Sequence, residues 1–312
     1  MTKKAILILF LLLITIYSFA QMKVAVTIDD VPNTRKFEKD KFEPVFLHKL
    51  DSLKIPVTVF INEGQIYKTQ KVSRNFRLLN VWVKREYVTP GNHTFGHSRY
   101  SDAGMDIFLA DVIKGQSITE ELAKLYEKPL KYFRFPYNDL GSDSAQQEEI
   151  KLQLAKLNYT IAPFTIESSD WMFNYVYEYY KNEGDDDNAR KIGEKYVETT
   201  LEYFEFFDSL SVSVYNRHIN QIYLCHDNSI NADYLEYIID ELKKREYTFI
   251  SLDEALEDEI YQQENKYYKK WGISWFYRYL ADKEDINKLM ELEPDIMPVY
   301  EEYQRLVKLN SK

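Results

Sequence analysis

Short apolar runs alternate with segments of helical period along most of this chain. The run Val24, Ala25, Val26, Thr27, Ile28 is rich in β-branched residues and ends on two carboxylates, Asp29 and Asp30. Such a run suits a strand buried on both faces. Two acids at its end are costly to bury unless a cation or hydrogen bonds satisfy them; alone, the stretch also reads as a strand entering an Asp-rich turn. Residues 44–54 carry Val45, Phe46, Leu50 and Leu53 at helical spacing, and 56–61 (PVTVFI) reads as the next strand. Helical patterns follow over 76–84, 105–127, 143–157 and 233–245. Strands are expected over 131–134, 159–162, 164–166, 222–225 and 248–250. This alternation predicts an α/β protein with a parallel sheet and crossover helices, either open or closed into a barrel.

Two regions break the alternation. Residues 173–210 are tyrosine-rich and helical in period, which marks a helical insertion between two strands. Residues 260–312 read as a helical tail with Trp271, Trp275, Phe276 and Tyr279 along one face. Aromatics at that spacing pack on the domain, or else present a sugar-binding platform. The acidic spot at 183–188 reads as a solvated turn between two helices, capped by Asn188, rather than a calcium loop, whose ligands are more widely spaced. With only nine glycines and nine prolines, no linker marks a boundary. The expected organisation is a targeting segment at 1–20, one large domain over 21–258 and a C-terminal extension over 259–312.

The first twenty residues have the make-up of a signal peptide: Lys3 and Lys4, an apolar stretch over 5–17, and Ser18-Phe19-Ala20 as a cleavage site. The stretch is too short for a good spanning helix. The expectation is an exported protein, periplasmic or secreted, without stable membrane insertion after cleavage. Without Lys3 and Lys4 the chain holds 38 basic against 50 acidic residues. That excess repels phosphate backbones, which excludes nucleic acid as a partner and favours neutral over polyanionic glycans, unless a local basic groove overrides the mean. The single Cys225 leaves no intramolecular disulfide.

The candidate chemistry sits where the predicted strands end. His93 and His97 lie four apart, and on a helical turn would share one face within reach of one cation. They are two of only five histidines. No glutamate follows His93, which sets the pair apart from the zincin pattern and its protease chemistry. Arg134 follows a strand and needs an anion. Glu167, Asp170 and Trp171 end another strand, and Leu224 and His226 a third. Singly, each cluster also reads as a salt bridge, a cap or a core histidine. Five of them at five strand ends have the geometry of barrel and doubly wound active sites.

These five stretches, in this order, resemble the polysaccharide deacetylase family (the NodB-homology domain, carbohydrate esterase family 4) from about residue 22 to 256. Thr27-Ile28-Asp29-Asp30 is similar to its T-F-D-D motif, and His93, Thr94 and His97 to H-[ST]-x-x-H. Arg134, Pro136 and Tyr137 match R-x-P-[FY]; Asp170 and Trp171 match D-x-x-D-W, with Glu167 in place of its first acid; Leu224 and His226 match L-x-H. The resemblance implies a distorted (β/α) barrel of about seven strands and removal of acetyl groups from an oligo- or polysaccharide. It further implies that Asp30, His93 and His97 bind one divalent metal, a donor set that suits Zn²⁺ and also accepts Co²⁺ or Ni²⁺. Asp29 would be the general base, held by Arg134. The Tyr137 backbone N–H would stabilise the oxyanion, and His226, kept protonated by Asp170, would be the general acid. Leu224 and Trp171 would shape the acetyl pocket. The alternative is a carbohydrate-binding protein on the same fold whose chemistry is lost. Neither the glycan nor the acetyl linkage, N or O, follows from the sequence. His218, near the end of the insertion, reads as a surface histidine.

Overall fold

Among the described residues, eight parallel strands form one curled sheet: β1 (Lys23–Val31), β2 (Val57–Ile61), β3 (Val88–Asn92), β4 (Tyr132–Phe133), β5 (Thr160–Ile161), β6 (Ile166–Glu167), β7 (Asn220–His226) and β8 (Thr248–Phe249). The computed structural model describes residues 21–281 and 284–311, so the signal-peptide reading lies outside the described residues. Seven strands run in the order β5-β4-β3-β2-β1-β7-β6, and β8 pairs with the start of β1. The result is a curled half-barrel with surrounding helices, the distorted (β/α) barrel that the alternation and the motifs imply.

β1 is an interior strand, between β2 and β7, and is apolar on both faces: Val24, Ala25, Val26 and Ile28 are all buried. The two ends of the strand path, β5 and β6, are consecutive in sequence, so residues 162–165 span the gap between them. The C-terminal tail seals that seam. The Ser274 hydroxyl donates to the Thr165 carbonyl at 2.6 Å, and the Trp275 N–H to the Phe164 carbonyl at 2.9 Å.

Three local readings need correction. β3 escapes the sequence pattern because Pro90 and Gly91, both poor strand formers, lie inside it. The helical pattern of 105–127 is two helices, Met105–Lys114 and Ser117–Leu125, broken at Gly115. The tyrosine-rich region is a pair, Asp170–Glu183 and Asp186–Tyr215, and its acidic turn is capped by Asp185, whose side chain accepts from the Asn188 N–H. The tail packs on this pair: Phe276 lies against Phe207 and Tyr215, and Tyr303 against Trp171 and Tyr175. Among the described residues, no helix is long and apolar enough to cross a membrane.

Candidate active site

Side chains from the C-terminal ends of β1, β3, β4, β6 and β7 converge on one cleft of about 850 Å³, the size of a small-ligand site. β1 bulges after Ile28, and its register against β2 shifts before Val31. Within the bulge Asp30 takes a left-handed φ of 63°, a conformation that Asp tolerates better than most side chains and that concentrates at functional sites. The bulge turns Asp29 inward, fully buried, and leaves Asp30 facing the cleft.

His93 and His97 do not sit on a helical turn. They occupy an irregular loop after β3, in which Thr94 and His97 are left-handed. The Thr94 hydroxyl accepts from the His97 N–H at 3.0 Å and the Asn92 side chain accepts from the Thr94 N–H at 2.8 Å, so the loop closes on itself. Asn62 donates to the His93 and Thr94 carbonyls. From the other side Gly115 presses on it: a Cβ there would lie 2.4 Å from the Thr94 carbonyl carbon. The imidazoles end with ring centroids 5.0 Å apart.

Asp30, His93 and His97 each offer one donor atom, all within 4.8 Å of one another. His93 Nδ1–H donates to the Arg134 carbonyl at 2.7 Å, which fixes the tautomer and points the Nε2 lone pair at the acids. Nε2 of His93 and of His97 lie 3.8 and 3.4 Å from Asp30 Oδ1, a buried oxygen with no hydrogen-bond partner. Burial pushes the His93 pKa down to about 3 and holds His97 below its usual value, so both rings are neutral. Burial alone would raise Asp30; the attraction that His97 and His93 exert when protonated outweighs it and holds the carboxyl below its ordinary value, so at neutral pH it is ionised. Neutral imidazoles beside an unsatisfied carboxylate fit a divalent cation.

Arg134 is buried beside Asp29, but its hydrogen bonds go elsewhere. One terminal nitrogen donates to Thr27 Oγ1 and to the Pro163 carbonyl, while the other stands 3.7 Å from Asp29 Oδ2. Asp29 Oδ1 is buried without a partner, and burial raises this carboxyl to about 6 against the pull of Arg134 and His226. Asp29 and His226 face each other in register across β1 and β7. His226 Nδ1–H donates to Asp170 Oδ1 at 2.6 Å; Asp170 Oδ2 accepts from the His226 N–H and the Asn228 side chain at 2.8 and 3.0 Å, and also from Asn231. Burial pulls His226 down, but Asp170 outweighs it and lifts the imidazole to about 10.

Tyr137 is the middle residue of the one-turn 3₁₀ helix Pro136–Asn138, with a non-helical φ of 57°; in the first turn of a helix backbone N–H groups have no partner within the turn, and the Tyr137 ring meets that of His97 at 4.6 Å. Leu224 is buried in the cleft wall and Trp171 is half-exposed at its rim. Glu167 also lines the cleft, but folds back to accept the Ser169 N–H at 2.6 Å; burial raises it to about 7. His218 pairs with Asp208 at 2.7 Å and is not among the residues lining the cleft. Asn92 is the residue in front of the histidine motif in the family pattern, but sequence reasoning missed the other asparagines that hold these groups: Asn62 at the histidine loop, and Asn228 and Asn231 at Asp170.

Residues 18–161 match the family model described as polysaccharide deacetylase. The resemblance to that family stands. The match takes in the stretches around Asp30, His97 and Arg134 and stops before Asp170 and His226, which the fold brings to the same cleft. No curated protein matches the chain. Among solved structures, a mutant of BA3943, described as a pseudoenzyme of carbohydrate esterase family 4, is 16% identical over 76% of this chain and 68% of its own, with a TM-score of 0.51; the wild-type form is from Bacillus anthracis. The polysaccharide deacetylase Bc1974 of Bacillus cereus is 18% identical over 74% and 92% (TM-score 0.48), and the peptidoglycan deacetylase PdaC of Bacillus subtilis 20% over 76% and 91% (TM-score 0.47). At these identities the structural likeness concerns the fold.

Proposed function

We propose that this chain is a metal-dependent hydrolase that removes acetyl groups, N- or O-linked, from a glycan. The observation that carries the reading is the convergence, in one cleft, of a three-donor cation site, a buried carboxylate with one oxygen free of hydrogen bonds and a histidine kept protonated by a buried aspartate. Asp30, His93 and His97 hold the ion, Zn²⁺ before Co²⁺ or Ni²⁺ on donor chemistry. When bound, such an ion supplies positive charge that acidifies water and polarises an acyl carbonyl.

Asp29 takes the proton of the attacking water. Its pKa near 6 suits a base working around neutrality, and Arg134 restrains it by charge while leaving Oδ1 free. The Tyr137 N–H donates to the oxyanion as the carbonyl becomes tetrahedral. His226 gives its Nε2 proton to the departing amine or alcohol, and Asp170 holds the imidazolium for that step. Leu224 and Trp171 bound the space for the acetyl methyl. The unit carrying this chemistry spans 21–258, with 259–312 as an extension, and residues 1–20 direct export.

A second reading, a glycan-binding protein without chemistry, has the pseudoenzyme neighbour in its favour; the presence of base, acid and three donors here favours the hydrolase. Acetate release from a panel of acetylated glycans, with Zn²⁺ restored after chelation, separates the two. Asp30→Ala and His97→Ala should each abolish the bound metal equivalent. Asp29→Asn should keep the metal and lose about 10²- to 10⁴-fold in turnover. Near-normal turnover in Asp29→Asn would show that the base lies elsewhere, and release from no glycan would favour the binding protein.

A further inference from the structure

The cleft is bounded in part by the C-terminal tail, which lies beyond the five motifs. Trp271 and Gly272 line it together with Tyr137 and Trp171. Three large rings at its rim are unusually open: Tyr137 is 50% exposed, Trp171 49% and Trp271 61%. Most of the other tail aromatics are accounted for by packing, since Phe276, Tyr277 and Tyr279 are buried and Trp275 packs against the core. Trp271, with Lys270 Nζ 5.4 Å from its ring centre, leaves most of its apolar surface open at the cleft, whereas Tyr300, the other open ring of the tail, does not line it.

Its position is built, not incidental. A Cβ on Gly272 would lie 2.2 Å from the Tyr137 carbonyl oxygen, so only glycine permits the approach. The fully buried Arg278 ties the same two segments together, donating to the Trp271 carbonyl at 3.0 Å and to the Asn138 carbonyl at 3.1 Å. A third bond, to the Tyr267 carbonyl at 3.4 Å, stays within the tail, and a buried cation devoted to these loop carbonyls fixes the tail against the turn that carries Tyr137.

We propose that Trp271 is the floor of a glycan subsite, stacking on a pyranose ring next to the acetylated one. The C–H face of a pyranose is apolar and weakly positive, complementary to the negative face of indole, while its hydroxyls stay in water at the cleft mouth. The substrate class rests on the deacetylase reading; the placement of the ring does not.

The test compares the full chain with Trp271→Ala, Trp271→Phe and Gly272→Ala, measuring acetate release and calorimetric binding with a tetrasaccharide of N-acetylglucosamine and an acetylated xylotetraose. Trp271→Ala should weaken binding and raise KM about tenfold, with the loss in KM rather than kcat. Trp271→Phe should recover most of it. Gly272→Ala, which moves the ring without removing it, should reproduce the alanine defect. An unaltered melting temperature in Trp271→Ala would confirm an intact fold. No acetate release, but binding that Trp271→Ala weakens, overturns the hydrolase and keeps the subsite. Kd and KM unchanged in Trp271→Ala overturn the subsite, and wild-type protein that binds neither sugar overturns both.

Discussion

His226 and Asp170 shift in opposite directions because each is the other's principal charge partner. Burial works against both ions, yet the imidazole rises to about 10 and the carboxyl falls below its ordinary value. A raised histidine contributes stability that is fully present below its unfolded pKa of about 6.5 and is lost as pH climbs toward 10. A depressed aspartate contributes stability present above about 3.9 and lost in acid. The pair therefore favours the native state most between those limits. If His226 is the acid, the alkaline limb of turnover should lie near pH 10 in the wild type. Asp170→Asn should bring that limb down toward the ordinary histidine value, read from a pH–rate profile of kcat. A limb unmoved by Asp170→Asn would assign it to another group.

At the scale of elements, the histidine loop is held by shape as much as by bonds. Gly115 ends one helix against the Thr94 carbonyl, with no room for a methyl group. Gly115→Ala should leave the barrel folded but push the loop outward, lowering metal affinity about 10- to 100-fold, the usual effect of disturbing the support of a ligand. Titration calorimetry with Zn²⁺ measures this directly, and an unchanged affinity would mean that the loop yields without moving His93 or His97. The same loop shows what was legible in the sequence. Strands with dense apolar runs, β1, β2 and β7, declare themselves, because burial on both faces leaves such a pattern. β3 does not, since Pro90 and Gly91 conceal it. The His93–His97 spacing suggested a helical turn because four residues is a helical repeat; left-handed Thr94 and His97 reach the same ring proximity by another route. The motif residues were visible as residue types at strand ends. Asn228, Asn231 and Arg278, which position them, were not, because their partners lie far away in sequence.

For the whole molecule, the tail poses the question of whether it is an appendage or part of the domain. Phe276, Tyr279, Leu280 and Leu306 belong to the same buried cluster as Val24 and Ile28 of β1 and Phe204 of the long helix Asp186–Tyr215. The tail also closes the seam between β5 and β6 through Ser274 and Trp275. An element that completes the core and spans the seam should unfold with the barrel rather than before it. Phe276, fully buried against Phe207 and Tyr215, gives the sharpest test. Phe276→Ala should cost about 3–5 kcal/mol and lower the melting temperature of the entire protein in one calorimetric transition. Two separated transitions, with the barrel melting at its original temperature, would instead make the tail an independent unit. Because Trp271 hangs from this segment, loosening Phe276 should also blunt glycan binding before the barrel melts. A single transition with a weakened cleft would therefore tie stability and recognition to the same C-terminal segment.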